Sequence, residues 1–315
     1  MGRKITIIGA GNVGATIAYT LSLGNIASNL VLIDVNQAKV EGEVMDIVQG
    51  TSFREPISVI VGDYKDAADS DIVIITSGIG RKPGQSRIEL AQTNVNILKA
   101  ITPQIVAVAP KALYVIVSNP VDIMTYAFTK LSGLPESQII GSGTILDTAR
   151  LRVSLSNHFK VAQKNIHAYV FGEHGDTSLI PWSCADISGC KLEDFEKMMM
   201  DRKAVEEPVN HEEVLRYVQK SGGEIIAKKG ATYYAVSASV NKICNILVAA
   251  YDSVATVSSM MHGEYGIEDV CVSTLTMVGP NGVKGKVPVP MTEEEVAKLQ
   301  ASANALKAVI KGLDI

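Results

Sequence analysis

KITIIGAGNVG, residues 4–14, decides how the rest of the chain is read. Lys4 to Ile8 is short, apolar and rich in β-branched residues, the pattern of a buried strand. Gly9, Gly11 and Gly14 follow at once, and Ala15–Leu23 carries a helical pattern. A Gly-x-Gly-x-x-Gly turn between strand and helix lets main-chain amides approach a pyrophosphate at the helix N-terminus. Glycines around any tight turn would look the same, so the next strand matters. NLVLID ends on Asp34, twenty residues after Gly14, where a carboxylate can accept from both ribose hydroxyls. It would also repel the extra phosphate of NADP, and Val35-Asn36-Gln37 supplies no arginine. NAD is therefore the expected cofactor, with Gly9, Gly11, Asn12, Val13, Gly14 and Asp34 as its binding residues.

Outward from this unit the alternation continues. PISVIVG, DIVIIT and ALYVIVSN are further short apolar runs separated by segments long enough for helical crossovers. This predicts an α/β fold with a Rossmann-type, doubly wound parallel sheet. Thr76-Ser77-Gly78 ends the fourth run, and Val117 and Asn119 lie at the end of the fifth. Carboxyl ends of parallel strands face the binding crevice, which adds these residues to the expected cofactor site. After Gly141 the pattern becomes mixed α+β. Helices are expected over 145–159, 192–204, 210–227 and 231–257, and antiparallel strands around Pro280-Asn281-Gly282. Thr292 with Glu295 reads as a capping box opening a last helix. The chain thus divides into a cofactor domain, 1–141, and a substrate domain, 142–315.

Composition narrows the partners. The 315 residues are 47% hydrophobic and 20% charged, with a net charge of −4, so no general attraction to nucleic acid or anionic lipid is expected. No apolar run reaches the length of a membrane span. Cys184, Cys190, Cys244 and Cys271 form no metal-binding spacing. Scattered thiols suit a reducing compartment, and a cytoplasmic location is expected.

Against this acidic background GIGRKPGQSR, residues 78–87, holds Arg81, Lys82 and Arg87 and no acid. Such a local concentration asks for a local anion. Further on, FGEHGD (171–176) places His174 between glycines, which permit close approach, and carboxylates, which tune its pKa. In ILDTARLR, Asp147 and Arg150 stand at i, i+3 on one helical face. A solvated histidine and an intrahelical ion pair are the bland readings of both.

GAGNVG, LVLID, RKPGQSR, VSNPVD, GTILDTARLR, GEHGD and GATYY occur in order along the chain. Together they resemble the L-lactate/malate dehydrogenase family over essentially the whole length. The resemblance implies a hydride transfer between NAD and a small 2-hydroxy acid. It makes His174 the general acid/base, Asp147 its orienting carboxylate, Arg150 the clamp on the substrate carboxylate and Arg87 the group that polarises the reacting carbonyl. Asn119 would bond near the substrate oxygen and nicotinamide, Thr232 of GATYY would line the substrate site, and no metal is required. It further implies a homotetramer or homodimer, and matches Arg152 and His167 to an interface site for fructose 1,6-bisphosphate in allosteric bacterial lactate dehydrogenases.

The resemblance also makes Arg81 the residue that reads the far end of the substrate. An arginine there, beside neutral Gln85, complements the second carboxylate of oxaloacetate, so malate/oxaloacetate interconversion, a reaction of the tricarboxylic acid cycle, is expected. Thr232, Arg152 and His167 favour the alternative, an L-lactate dehydrogenase. An NAD-dependent glycosidase lacks support without Cys and His metal ligands, and a non-catalytic NAD binder would not need His174, Asp147, Arg87 and Arg150 together.

Overall fold

The computed structural model describes residues 2–80 and 86–315. The first half supplies strands β1 (Lys4–Ile8), β2 (Asn29–Ile33), β3 (Ser58–Val61), β4 (Ile72–Ile75), β5 (Leu113–Ile116) and β6 (Ile139–Gly141). Between them run helices α1 (Asn12–Leu23), α2 (Gln37–Gln49), α3 (Arg87–Val108) and α4 (Val121–Ser132). The strands lie parallel in the order β3-β2-β1-β4-β5-β6, the doubly wound arrangement expected. Their continuous apolar sequences are explained by burial on both faces. Ile5, Ile7, Leu30, Leu32, Ile72 and Ile74 pack on one face with α1 and α2. Ile8, Val31, Ile33, Val73 and Ile75 alternate onto the other face, against α3 and α4.

The second half contains α5 (Ile145–Phe159), β7 (Ile166–His167), β8 (Asp186–Ile187), β9 (Cys190–Lys191), α6 (Leu192–Asp201) and α7 (His211–Lys229). α8 (Tyr234–Leu247), β10 (Ser253–His262), β11 (Glu268–Gly279), β12 (Gly282–Lys286) and α9 (Glu293–Ile310) follow. β10, β11 and β12 extend the main sheet antiparallel beyond β6, so that nine strands form one sheet among the described residues. The capping box expected on α9 is present, with Thr292 Oγ1 accepting from Glu295 N at 3.2 Å and Glu295 Oε2 from Thr292 N at 2.9 Å.

One expectation needs correction. The helix expected over 231–257 stops at Leu247, and residues from Ser253 form β10. Small and apolar residues run through both segments, and such a run fits a buried helix or a buried strand equally. The open edge of β6 resolves the choice, because Ser258 pairs there with Gly141. β7 is short and ends at His167. Phe171 and Gly172 instead form isolated bridges to Leu179 and to Ser273 of β11, which fastens the next residues, Glu173 and His174, to the main sheet.

Candidate active site

The glycine turn follows β1 directly. Gly9 has φ 103°, a left-handed conformation that favours glycine. Its carbonyl oxygen accepts from Thr76 Oγ1 at 2.8 Å. A Cβ on Gly14 would collide with that same carbonyl, so α1 can enter this closely only through a glycine. A Cβ on Gly11, by contrast, would meet nothing within 4 Å, which leaves the backbone there open to a ligand. Asp34 directly follows β2 and braces the turn: Oδ2 accepts from Ala10 N at 2.5 Å and Oδ1 from Asn36 N at 2.8 Å.

Gly9, Gly11, Asp34, Thr76, Ser77 and Gly78 line one cavity of about 690 Å³. The free amides at the start of α1, the bare Gly11 backbone and a carboxylate at the end of β2 fit a dinucleotide's pyrophosphate and ribose. Of the other expected cofactor residues, Asn12 is exposed as the first residue of α1, whereas Val13 and Val117 pack into the hydrophobic cluster on the α1 side. Asn119 is exposed, and its carbonyl accepts from Asn94 Nδ2 at 2.7 Å. Asn94 also receives the Ile79 amide at 2.9 Å and so ties the ends of two strand-following loops together.

His174 meets Asp147 across the fold, Nδ1 to Oδ2 at 2.5 Å. Asp147 stands in the first turn of α5, and its other oxygen accepts from Arg150 Nη1 at 2.9 Å. The intrahelical ion pair and the catalytic-type contact therefore coexist, one on each carboxylate oxygen. Burial opposes ionisation of Asp147, but the charge and hydrogen bond of His174, with Arg150, outweigh it and hold the carboxyl below its usual range. Asp147 in turn raises the His174 pKa above the ordinary 6.5, against the opposing effects of burial and Arg150. α7 backs Arg150: Val218 O lies 3.5 Å from Nη1, and a Cβ on Gly222 would stand 3.4 Å from Nη2.

Two further acids of the site, Asp122 and Glu173, fall inside VSNPVD and GEHGD but receive no role from those motifs. Asp122, in the first turn of α4, is 2% exposed and accepts from the His174 main-chain N–H at 2.8 Å. Ser258 of β10 donates to its second oxygen at 2.6 Å. In the sequence it closes VSNPVD and stands as a single acid within the apolar run VDIMTYAF. Glu173, also 2% exposed, accepts from Thr177 Oγ1 at 2.6 Å and pairs with Arg87, the first residue of α3. The guanidinium expected to face the substrate thus engages the residue preceding His174.

Thr232 is half-buried in the segment joining α7 to α8. Arg152 lies over the Tyr169 ring, 5.4 Å from its centroid, and its Nε donates to Ala168 O at 3.3 Å. His167 Nδ1 lies 2.9 Å from Asp186 Oδ1. Arg81, Lys82 and Gln85 fall outside the described residues. Among the described residues no cluster of His, Cys, Asp and Glu could hold a metal ion, and no helix is long and apolar enough to cross a membrane.

Residues 3–141 match the model of the lactate/malate dehydrogenase NAD binding domain, and residues 144–313 match that of the lactate/malate dehydrogenase alpha/beta C-terminal domain. The chain belongs to the lactate/malate dehydrogenase family. NAD(H) use comes with that membership.

Among its relatives, the L-lactate dehydrogenase of Acetivibrio thermocellus is 46% identical over 313 residues, covering 99% of this chain and 98% of that one. The L-lactate dehydrogenase of Thermoanaerobacter pseudethanolicus is 44% identical, covering 99% and 100%. In structure the chain is similar to the ligand-bound minor L-lactate dehydrogenase of Enterococcus mundtii, with a TM-score of 0.93 at 37% identity, covering 100% of this chain and 99% of that one. A lactate dehydrogenase from a Medee basin deep-sea metagenome library gives a TM-score of 0.92 at 33% identity, with 99% of each chain covered.

These relatives overturn the expectation of a malate dehydrogenase and, with it, of a role in the tricarboxylic acid cycle. That expectation rested on the charge of Arg81. Charge complementarity selects a substrate only when the side chain faces it in a water-poor site; a solvated guanidinium needs no partner. Likeness along the full chain carries more weight than one loop cation.

Proposed function

We propose that the chain is an NAD-dependent L-lactate dehydrogenase interconverting pyruvate and L-lactate. The full-length likeness to L-lactate dehydrogenases supports the substrate, and the observation that supports the chemistry is the His174–Asp147 contact at 2.5 Å, with Arg150 on the other carboxylate oxygen. It supplies a proton carrier, an orienting carboxylate and a cation for a substrate carboxylate within one cluster. The cofactor half is 1–141 and the substrate half 142–315.

In this reading Arg150 holds the pyruvate carboxylate through its remaining N–H groups. NAD, when bound, supplies the hydride donor and acceptor for the substrate's C2. His174, protonated, gives its Nε2 proton to the keto oxygen as pyruvate is reduced and recovers it as lactate is oxidised. Asp147 keeps Nδ1–H in place and stabilises the imidazolium. Arg87, once it exchanges Glu173 for the carbonyl oxygen, stabilises the charge that develops there. Asn119 and Thr232 complete the substrate side. Asp34 favours NAD over NADP by its negative charge, and Asn12, Val13, Gly14 and Val117 shape the cofactor's surroundings. The working form is a homotetramer or homodimer, a point that mass measurement in solution decides.

The deciding experiment is kcat/KM with NADH for pyruvate and for oxaloacetate. Pyruvate is expected to give the higher value, and a preference for oxaloacetate would overturn the substrate assignment. The pH profile follows from the raised His174 pKa. Reduction needs the protonated ring, so its rate should persist above pH 6.5 and fall as pH rises through the higher folded-state value. Oxidation needs the neutral ring and should rise through the same interval.

A sugar bisphosphate regulator is a second reading with its own support. Arg152 lines a cavity of about 410 Å³ together with Lys164 and Lys242, a set of charges that suits an anion. His167, held by Asp186, would have to change partner to join it. Adding fructose 1,6-bisphosphate should then lower the KM for pyruvate; an unchanged saturation curve counts against it.

A further inference from the structure

His174 is held at two points, by its ring on Asp147 and by its main-chain N–H on Asp122. Attention to the ring alone leaves Asp122 without a role. Yet this carboxylate is 2% exposed, and burying it would be costly unless its oxygens were satisfied. Each oxygen has one donor: His174 N–H at 2.8 Å and Ser258 Oγ at 2.6 Å. These come from three different parts of the fold, since Asp122 lies in the first turn of α4, Ser258 in the middle of β10, and His174 in the loop after Gly172. Ser258 is fully buried and is the residue that pairs with Gly141 at the junction of β10 and β6. Its hydroxyl therefore projects from a buried, paired position inside the sheet.

We infer that Asp122 is a positioning residue that fixes the depth of His174 by gripping its main chain, with Ser258 locking the carboxylate's rotation. The inference rests on His174 being the acid/base. A misplacement of about 1 Å in such a group costs roughly 10²-fold in rate, so a clamp one bond from the Cα has direct leverage on turnover. Electrostatics add to the geometry. The charged groups acting on His174 are Asp147 and Arg150 of α5 and Asp122 of α4, while Glu173, the preceding residue, pairs with Arg87 of α3. Asp122 favours the protonated ring and Arg150 opposes it. Burial pushes the Asp122 carboxyl itself upward, with the Ser258 hydroxyl and the His174 N–H opposing that rise.

The test is Asp122→Asn, which keeps shape and an acceptor but removes the charge. Pyruvate reduction should lose roughly 10- to 100-fold in kcat with a much smaller change in KM, and its alkaline limb should move to lower pH. Lower thermal stability with the wild-type kcat and pH limb would show a purely structural role and overturn the inference. If that variant does not fold, Ser258→Ala provides the measurement: a several-fold loss of kcat is expected, and a wild-type kcat would overturn the inference. His174→Asn, made alongside, separates the two levels. Turnover surviving in it defeats the reading of His174, whereas its loss beside an unaltered Asp122→Asn profile defeats only the role of Asp122.

Discussion

His174→Asn lowers kcat for pyruvate reduction by about 10²- to 10⁴-fold, the usual contribution of a positioned general acid. Asparagine keeps a polar side chain beside Asp147 and leaves the main-chain N–H on Asp122, but it carries no transferable proton near neutrality. NADH binding should be nearly unchanged, because the dinucleotide cavity is built from Gly9, Gly11, Asp34, Thr76, Ser77 and Gly78, with no contribution from residue 174. The pH dependence should flatten as well. Stopped-flow measurement of NADH oxidation, with a separate titration of NADH binding, checks both parts. A variant that keeps more than a tenth of wild-type turnover would show that another group delivers the proton.

Arg150→Gln lowers kcat/KM for pyruvate by roughly 30-fold to several thousandfold, corresponding to about 2–5 kcal/mol for one lost partner of a desolvated charge pair. Most of the loss should appear in KM, since the substrate carboxylate is bound in the ground state as well as the transition state. The substitution also acts on His174. Arg150 opposes protonation of the ring, so its removal should move the alkaline limb of reduction to higher pH, opposite in sign to Asp122→Asn. A wild-type KM for pyruvate, or a limb that moves downward, would remove Arg150 from its assigned role. The opposite shifts in the two variants make a demanding joint test, because general loosening of the site cannot produce both.

The parts legible in the sequence were those set by local patterns. The strand–turn–helix at residues 4–23 declares itself because a buried strand and a glycine turn impose strong local constraints. The same holds for α5 and for the Thr292 capping box. Asp147 and Arg150 were placed on one face by helical spacing alone. His174 stood out because glycines flanked it. Asp122 and Ser258 did not, since a buried acid and a buried serine acquire meaning only from partners distant in the chain. The boundary between α8 and β10 was hidden for a related reason: an apolar run does not state its period when both faces are buried. The malate assignment failed because one charged residue was read without knowledge of what it faces.

By itself the sequence determined the fold class, the dinucleotide turn and the identity of the groups able to move a proton. Each follows from short-range sterics, hydrophobic period and side-chain chemistry. Only the tertiary structure decided which of those groups meet. The ring of His174 reaches a carboxylate on α5 and its amide one on α4, while Arg87 is drawn to Glu173. Contacts across such distances arise from the packing of whole elements, where a charge is stabilised by whatever the fold brings within about 3 Å of it.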